Sequence, residues 1–533
     1  MMNFSIVEKN LFESQAIFQR DSRSLFVFSL RTGKTVFFTV LMLVWLEGLG
    51  QSVPGAMDNY SGSTSVWLNP SNISTGFVHD DIGLASVSFS LENNFAYLPA
   101  GSWWPSLRGI MQEGGTWAVF DGLQPNKEYY YRYHGGDRSR SIHQALDVSL
   151  PSMMKTLEGG HVLAFSLKQR AYFSATRLSW EIPVLITESL SYVPMHHVRY
   201  DSEGMRCSMM DWSEAALTYS TQVFDHGALK MDAGMTAKLL LGMAGMTLNI
   251  DSLAYEVDNG HELYFYDFDG AFNFSLPIFY NENIRNEDGD WGFLGPLYKG
   301  VGAGFDAGFS LTYKKSTIVR ETPRSACDDL PIPYYWRFGL SLLDVGWIPY
   351  SGHLLGEQLS GRDFWVDTRD FDTVTTVNGG MNLLNHLEGN ESTILDTTTH
   401  FTIGLPSALS MQVDANLYRD FYCNFTLIQP VSRWFYDHAV EREALMSVTP
   451  RFETSFFGVS LPLTLYNYQY FTAGAFVRVG PLSLGTNDLL SLMGWGSTRS
   501  IDFMVSLRLK LDRGDCLFDP VMDACGDKYR HRH

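Results

Sequence analysis

Near the end of the chain apolar residues fall at every second position. Ile501, Phe503, Val505, Leu507, Leu509 and Leu511 alternate with Asp502, Ser506, Arg508 and Lys510. A strand with this period has one apolar and one polar face, and so needs hydrocarbon on one side and water on the other. The period recurs upstream. Leu409, Met411, Val413, Ala415 and Leu417 alternate with Ser410, Gln412, Asp414 and Asn416. After the turn-like Arg419-Asp420, Phe421, Cys423, Phe425 and Leu427 alternate with Tyr422, Asn424 and Thr426, which predicts a hairpin. Phe457 to Leu465, Phe305 to Leu311 and Trp336 to Leu342 follow the same rule, with Pro462 marking a bulge or a weakened strand.

Further strands are expected over 82–91 and 161–176, with two more within 213–250. Residues 176–190 read as a short helix, either a plug across the lumen or a loop element. The tyrosines around Tyr131 belong on a strand near an interface, and part of 351–400 reads as a long loop. Runs of about ten residues match the length of a tilted strand crossing a bilayer. The segments sum to about 14 strands, within a range of about 12 to 16. The predicted fold is all-β, a transmembrane antiparallel β-barrel closed on itself, because hydrocarbon leaves no backbone group unmet. The competing fold is a soluble periplasmic β-sandwich, which would turn the same apolar faces into a core.

The run Val36 to Leu46 follows Arg31 and Lys34 and precedes the small residues Gly48, Gly50 and Ser52. These are the parts of a secretory signal peptide, and the run is too short for a transmembrane helix. The expected organisation is a leader and signal peptide over 1–52, cleaved near 50–56, then a barrel over 57–512 and a polar periplasmic tail over 513–533.

Composition adds to this picture. Aromatic residues make up 14% of the 533 residues and charged residues only 18%, with 47 glycines, values that suit aromatic girdles and tight turns. The formal charge of −19 argues against nucleic acid as a partner. Acidic side chains gather between Asp251 and Asp290, where alternation is weakest, as expected of solvated loops or the outward ends of strands. The cysteines Cys207, Cys327, Cys423, Cys516 and Cys525 show no Cys-x-x-Cys spacing, which removes zinc-ribbon and thioredoxin-type readings. Cys516 and Cys525 share the short tail, where a periplasmic disulfide and a pair of unpaired thiols are the two readings.

Several blocks carry a family resemblance. They include Asn69-Pro70-Ser71 leading to Glu92-Asn93-Asn94-Phe95, Ala164 to Ser174, Lys299 to Gly308, Gly339 to Gly346, Leu405 to Leu409, Gln429-Pro430, Thr449 to Glu453 and Gly480 to Leu490. Together they resemble an uncharacterised outer-membrane β-barrel family, a domain of unknown function, abundant in Bacteroides-type bacteria. They are similar, more remotely, to long-chain fatty acid transporter barrels and to barrels of the type IX secretion system. The resemblance implies a Gram-negative outer membrane. Through the fatty acid transporters it implies an N-terminal segment that plugs the pore, with Ser71 standing where alanine is common in such relatives. It transfers no ligand residue.

Candidate chemistry is sparse. Gly300, Gly302, Gly304 and Gly308 mimic a phosphate loop, but the residues after them alternate as a strand, so a glycine-rich barrel turn is expected. Adjacent His196 and His197 point to opposite faces of a strand and cannot share a metal. Asn286 to Asp290 and Asp367 to Asp372 carry several oxygen ligands each without the full calcium-loop spacing, so acidic solvated loops are expected. No Gly-x-Ser-x-Gly, His-Glu-x-x-His or Ser-x-x-Lys arrangement occurs. The basic close Lys528 to His533 reads as a disordered terminus or a contact for an anionic polymer. No catalytic residue, cofactor or metal is nominated, and the chain is not expected to be an enzyme. The expected partners are outer-membrane lipid and a small hydrophobic solute, which the barrel would bind or pass. The alternative is a non-transporting scaffold for a periplasmic or exported protein.

Overall fold

The computed structural model describes residues 57–102, 132–134, 139–188, 190, 192–275, 298–315, 333–351, 354–369 and 400–511. The predicted leader, the acidic loop at Asn286, Cys327, the Cys516/Cys525 pair and the basic tail lie outside them. The first strand, β1 (Asp80–Asn93), is followed by β2 (Arg140–Ser149, resuming as Ser152–Thr156), β3 (His161–Leu178), β4 (Arg199–His226) and β5 (Leu229–Val257). Next come β6 (Glu262–Ser275, resuming as Gly300–Lys314), β7 (Tyr334–Ser351, then Leu354–Gly361 and Phe364–Asp367) and β8 (His400–Gly404 with Ala408–Tyr418). The circuit finishes with β9 (Phe421–Pro430), β10 (Leu445–Glu453), β11 (Phe457–Ser460 with Leu463–Tyr466), β12 (Tyr470–Ala473 with Ala475–Val479), β13 (Leu482–Thr486) and β14 (Ser500–Leu511). Each strand pairs antiparallel with the next, and β14 returns to β1 from Ser500↔Glu92 to Leu511↔Asp80, closing a 14-strand barrel.

The alternation read from the sequence sets which way side chains point. Along β14, Phe503, Val505, Leu507, Leu509 and Leu511 are exposed on the outside, while Asp502, Ser506 and Arg508 are buried inside. The same division holds on β8, where Leu409 and Val413 face out and Ser410, Gln412 and Asp414 face in. Large apolar side chains meeting across two stacked sheets, as a sandwich requires, are therefore not what the strands present. Exposed aromatics bracket the outer band: Tyr335, Trp336, Tyr418, Phe421 and Phe456 at one end, Trp347, Trp434, Phe435, Phe471 and Trp495 at the other. From Trp336 to Trp347 the chain covers roughly 36 Å, or about 25 Å when tilted by 45°, the height of a transmembrane apolar belt.

Connections differ between the two ends. One end carries the tight turns 157–160, 227–228, 419–420, 454–456 and 480–481, with 315–333 the one long connection there; the other carries 94–139, 179–198, 368–399, 431–444 and 487–499, besides the short 258–261 and 467–469. Short turns on one rim and long loops on the other are the asymmetry of outer-membrane barrels, whose loops face outward.

The wall is uneven in height. β4 has 28 residues and β5 has 29, far more than the 9–11 or so that cross a bilayer. With the far ends of β6 and β7 they rise beyond the loop-end rim, since β8 begins opposite Ser351. The helix Glu181–Glu188 was open to two readings, and the structure corrects the plug. Ile182, Val184 and Leu185 pack on a cross-strand row Phe173, Met209, Met246 and Phe274, which has the outward parity of Leu217 on the same continuous β4. The helix is thus a cover on the outer face of the tall wall.

Two further expectations are revised. The glycines from Gly300 to Gly308 lie within β6 rather than in a turn, and the loop expected within 351–400 gives up Leu354–Gly361 and Phe364–Asp367 to strand. Around Tyr131 the described part, Arg132–Tyr133, forms a short ladder with Ala96–Tyr97. Pro462 interrupts β11 between its two segments, as a proline lacking a ladder donor should.

Candidate functional site

The lumen is filled from both ends. From the turn end the segment before β1 enters, folded into a short 3-10 helix (Gly62–Trp67) and one turn of α-helix (Asn72–Thr75). Its contacts reach strands around the whole circuit. Asp58 pairs with Arg478 of β12 at 2.6 Å, the Asn59 amide donates to Glu453 of β10 at 3.1 Å, and Ser63 donates to Asp81 of β1. Arg337 of β7 donates to Asn59 at 3.1 Å and to the Thr75 carbonyl at 2.9 Å. The Leu68 carbonyl accepts from Ser341 of β7 and Gln412 of β8, while Ser71 meets Ser310 of β6 and Ser74 meets Ser220 of β4. Only a segment on the barrel axis can touch so many walls at once.

Glycine makes room for it. A Cβ on Gly308 would stand 2.4 Å from Asn69 Oδ1, and one on Gly234 2.5 Å from the Pro70 carbonyl carbon. The Asn-Pro-Ser block is therefore seated in gaps left in β5 and β6, and Asn69 donates to the Phe309 carbonyl at 3.0 Å. These contacts are polar, the kind that water can replace at little net cost. Apolar contacts add to them, Met57 and Leu68 packing with Ile428 and Leu445, and Ile73 and Val78 with Met154 and Val162.

From the loop end, residues 431–444 fold inward. The Gly404 amide donates to the His438 carbonyl at 2.8 Å, the Val440 amide to the Gly404 carbonyl at 3.2 Å, and the Glu441 amide to Ser174 Oγ at 3.0 Å. Val440 is fully buried in an apolar layer with Tyr172, Met210, Trp212, Leu240, Ile348, Tyr350, Ile403 and Leu405.

The two inserts approach the same charged hub. Asp344, at φ 53° in a bulge of β7 opposite Asp306, accepts from Arg170 at 2.8 and 3.2 Å and from Lys238 at 2.5 Å, and also pairs with Arg442 of the inward loop. A non-glycine residue at positive φ is strained, and here the strain turns the carboxylate toward three cations. Arg170 also binds Asp147 at 2.6 Å and Glu214 at 3.1 Å, and Lys238 binds Asp306 at 2.7 Å. Tyr172 donates to Asp147, and Arg170 lies 5.0 Å from the ring centres of both Tyr172 and Trp212. Lys168 stands over the ring of Trp67, the inner end of the N-terminal insert, at 5.0 Å. Beside them a cavity of about 50 Å³ remains, with smaller ones of about 40 and 20 Å³ along the insert. Each holds a few waters at most. Four cations face four carboxylates in the hub, which leaves no net field to select ions.

None of the hub was nominated from the sequence. Its members stand on seven chain segments between Asp147 and Arg442, and the only signal was a charge at inward parity in strands otherwise lined by Ser, Thr and Gly. His196 Nε2 contacts the Leu190 carbonyl at 2.7 Å and His197, in a turn at φ 57° rather than on a strand, faces Glu256 and Asp258, with the two rings 6.3 Å apart at 77°. Asp367 is bound by Arg369. Among the described residues no group of three or more His, Cys, Asp or Glu is placed to hold a metal, and Cys207 and Cys423 are free.

A closed 14-strand barrel with an apolar outer belt and an interior occupied by two inserts defines a plugged transmembrane β-barrel. More particularly, the chain belongs to the family of unknown function DUF5723, whose model matches residues 117–487. No curated protein matches the sequence. Among solved structures it is similar to the CymD monoaromatic hydrocarbon channel, with 9% identity over 87% of this chain and 98% of that one and a TM-score of 0.30. It is also similar to the toluene transporter TodX of Pseudomonas putida (8% identity, 87% and 96% covered, TM-score 0.28) and to a FadL homologue of Pseudomonas aeruginosa (9%, 86% and 98%, TM-score 0.21).

Proposed function

We propose that the protein is an outer-membrane barrel, shut at rest, that binds and passes a small apolar solute when its inserts move aside. The observation that carries this reading is the N-terminal insert: residues 57–78 occupy the axis largely through hydrogen bonds and ion pairs that water can replace, beside two small apolar clusters around Leu68 and Ile73. The outer belt between two aromatic rims supports the membrane placement. The apolar layer under the inward loop supports an apolar solute over a sugar or an ion, because lifting Val440 would leave a lumen lined by Trp212, Tyr350, Ile348 and Ile403.

The test is reconstitution of the full chain in planar bilayers beside a variant lacking residues 57–76. The full chain should be silent and the shortened one, still shifting its gel mobility on heating, should conduct in discrete steps. Vesicles holding the shortened form should also take up a labelled aromatic hydrocarbon faster. A folded but silent shortened barrel would refute the reading. It would favour the scaffold reading instead, which rests on the closed interior and predicts no conductance in any variant.

A further inference from the structure

The tall wall has two faces beyond the rim. Its outer face is covered by the helix Glu181–Glu188. Facing side chains switch by one position at Gly204 (φ 67°) and at the register shift between Ile250 and Ser252, since Tyr200 and Met205 both lie in the outer cluster, so Arg199 and Glu203 share the inner side with Ser208. This inner face carries polar and aromatic side chains in rows across four strands. One row runs Arg199, Glu256, Tyr264 and Trp365; another runs Glu203, Ser252, Asp269 and Ser360.

Charge on this face is unbalanced. Arg199, Arg206, Arg362 and Arg369 are already held by Asp201, Asp251, Asp267 and Asp367, at 2.5 to 3.0 Å. Among the described residues Glu203 and Asp269 make no ion pair, and the only charge partner of Glu256 and Asp258 is the imidazole of His197. The aromatic side chains sit among these carboxylates. Tyr264 lies 4.7 Å from Tyr266 and 4.9 Å from Trp365, whose side chain is 54% exposed. Tyr264 donates to Asp363 at 3.0 Å and Tyr266 to Glu256 at 2.7 Å.

The face already shows how it holds a cation. Arg199 stands 4.5 Å from the ring centre of Tyr266 while pairing with Asp201. The Trp365 and Tyr264 rings beside Asp363 repeat that combination of ring and carboxylate, and Asp269 lies five residues further along the strand of Tyr264. We infer that this inner face of the tall wall is a docking surface for a basic segment, rich in Lys and Arg, of a partner protein. Surplus carboxylates attract such a segment from a distance, and exposed rings seat individual cations once it arrives.

The experiment uses the full chain in lipid nanodiscs and a fluorescent decalysine peptide, with a neutral oligosaccharide as the competing ligand class. The peptide should bind, with affinity falling at least tenfold between 50 and 500 mM salt, on the order expected for screened surface charge. Glu203→Gln with Asp269→Asn should weaken it about tenfold, and Trp365→Ala by roughly threefold to fivefold. Trp365→Phe should restore most of that loss, and Trp180→Ala, at the helix on the outer face, should change nothing. Heat-shifted gel mobility verifies that each variant is folded. Binding that is indifferent to the face variants, equal loss in Trp180→Ala, or capture of the oligosaccharide with no capture of peptide would each overturn the inference.

Discussion

Replacing Arg442 by Met keeps the length and much of the volume of the side chain and removes the one charge that the inward loop contributes to the hub. Asp344 retains Arg170 and Lys238, so no carboxylate is left bare, and the loss is that of one charge-assisted pair, about 2 kcal/mol. Because 1.4 kcal/mol is about a factor of ten, the population with the loop lifted should rise on the order of thirtyfold. Hydrogen exchange reads this directly. The amides of Val440 and Glu441, bonded to Gly404 and Ser174, should exchange about thirty times faster, while the β10 ladder from Leu445 to Glu453 keeps its protection. Asp344→Asn should behave differently. It leaves Arg442 buried with no other carboxylate within ion-pair distance among the described residues, at a cost of roughly 3–5 kcal/mol, and should loosen β7 as well as the loop. Unchanged loop exchange in Arg442→Met, or equal acceleration in β10, would refute the assignment of Arg442 as the tie between loop and wall.

Other consequences can be measured separately. Gly308→Val would drive a side chain into Asn69 and should expel the N-terminal insert, making residues 57–78 cleavable by protease in a barrel that still shifts on heating. Leu507→Arg, on the outward face of β14, should cost about 2–4 kcal/mol of folding free energy in lipid vesicles if the belt faces hydrocarbon, against less than 1 at an aqueous surface. In the loop after β13, burial pushes the Asp488 carboxyl above its ordinary range while it caps the turn Leu489–Leu492. The loop then favours the protonated acid, so its stability is complete below a pH of about 4 and declines as pH rises through the shifted value. Asp488→Asn should abolish that decline and keep the cap, as read by proteolysis of 487–499 on either side of the shift, at about pH 4 and pH 8.

What the sequence disclosed follows from what dyad alternation encodes. Wherever one face meets hydrocarbon and the other a polar interior, as at Phe503 to Leu511, the period names the strand, its outward face and its share of the circuit. The tall part of β4 and β5 was legible as strand but not as height, because above the rim the outer face stays apolar under the helix Glu181–Glu188 and the inner face stays polar over water. The side taken by that helix depended on the parity of Phe173 and Met209, which its own residues do not carry. The second half of β7 was missed because Phe364–Asp367 carries aromatic side chains at adjacent positions and is fully buried on neither face, which erases the contrast on which alternation depends.

The hub shows a different limit. Arg170, Glu214, Lys238, Asp306 and Asp344 each sit on a separate strand and look like ordinary lumen residues until the register aligns them at one level. Once aligned, they raise the question of why the inserts end on charges. A permanent seal would gain more from apolar packing, since desolvating a buried ion pair offsets most of its attraction. An ionic seal differs in what happens when water enters: each partner is solvated at once, and the closed and open states stay within a few kcal/mol of each other. Trp67 on Lys168 from one side and Arg442 on Asp344 from the other place both inserts against this network, so hydration admitted by either one lowers the cost of releasing the other. The double variant, Gly308→Val with Arg442→Met, tests this. Coupled inserts predict that the combined loss of protection exceeds the product of the single effects, and independent inserts predict that it equals it.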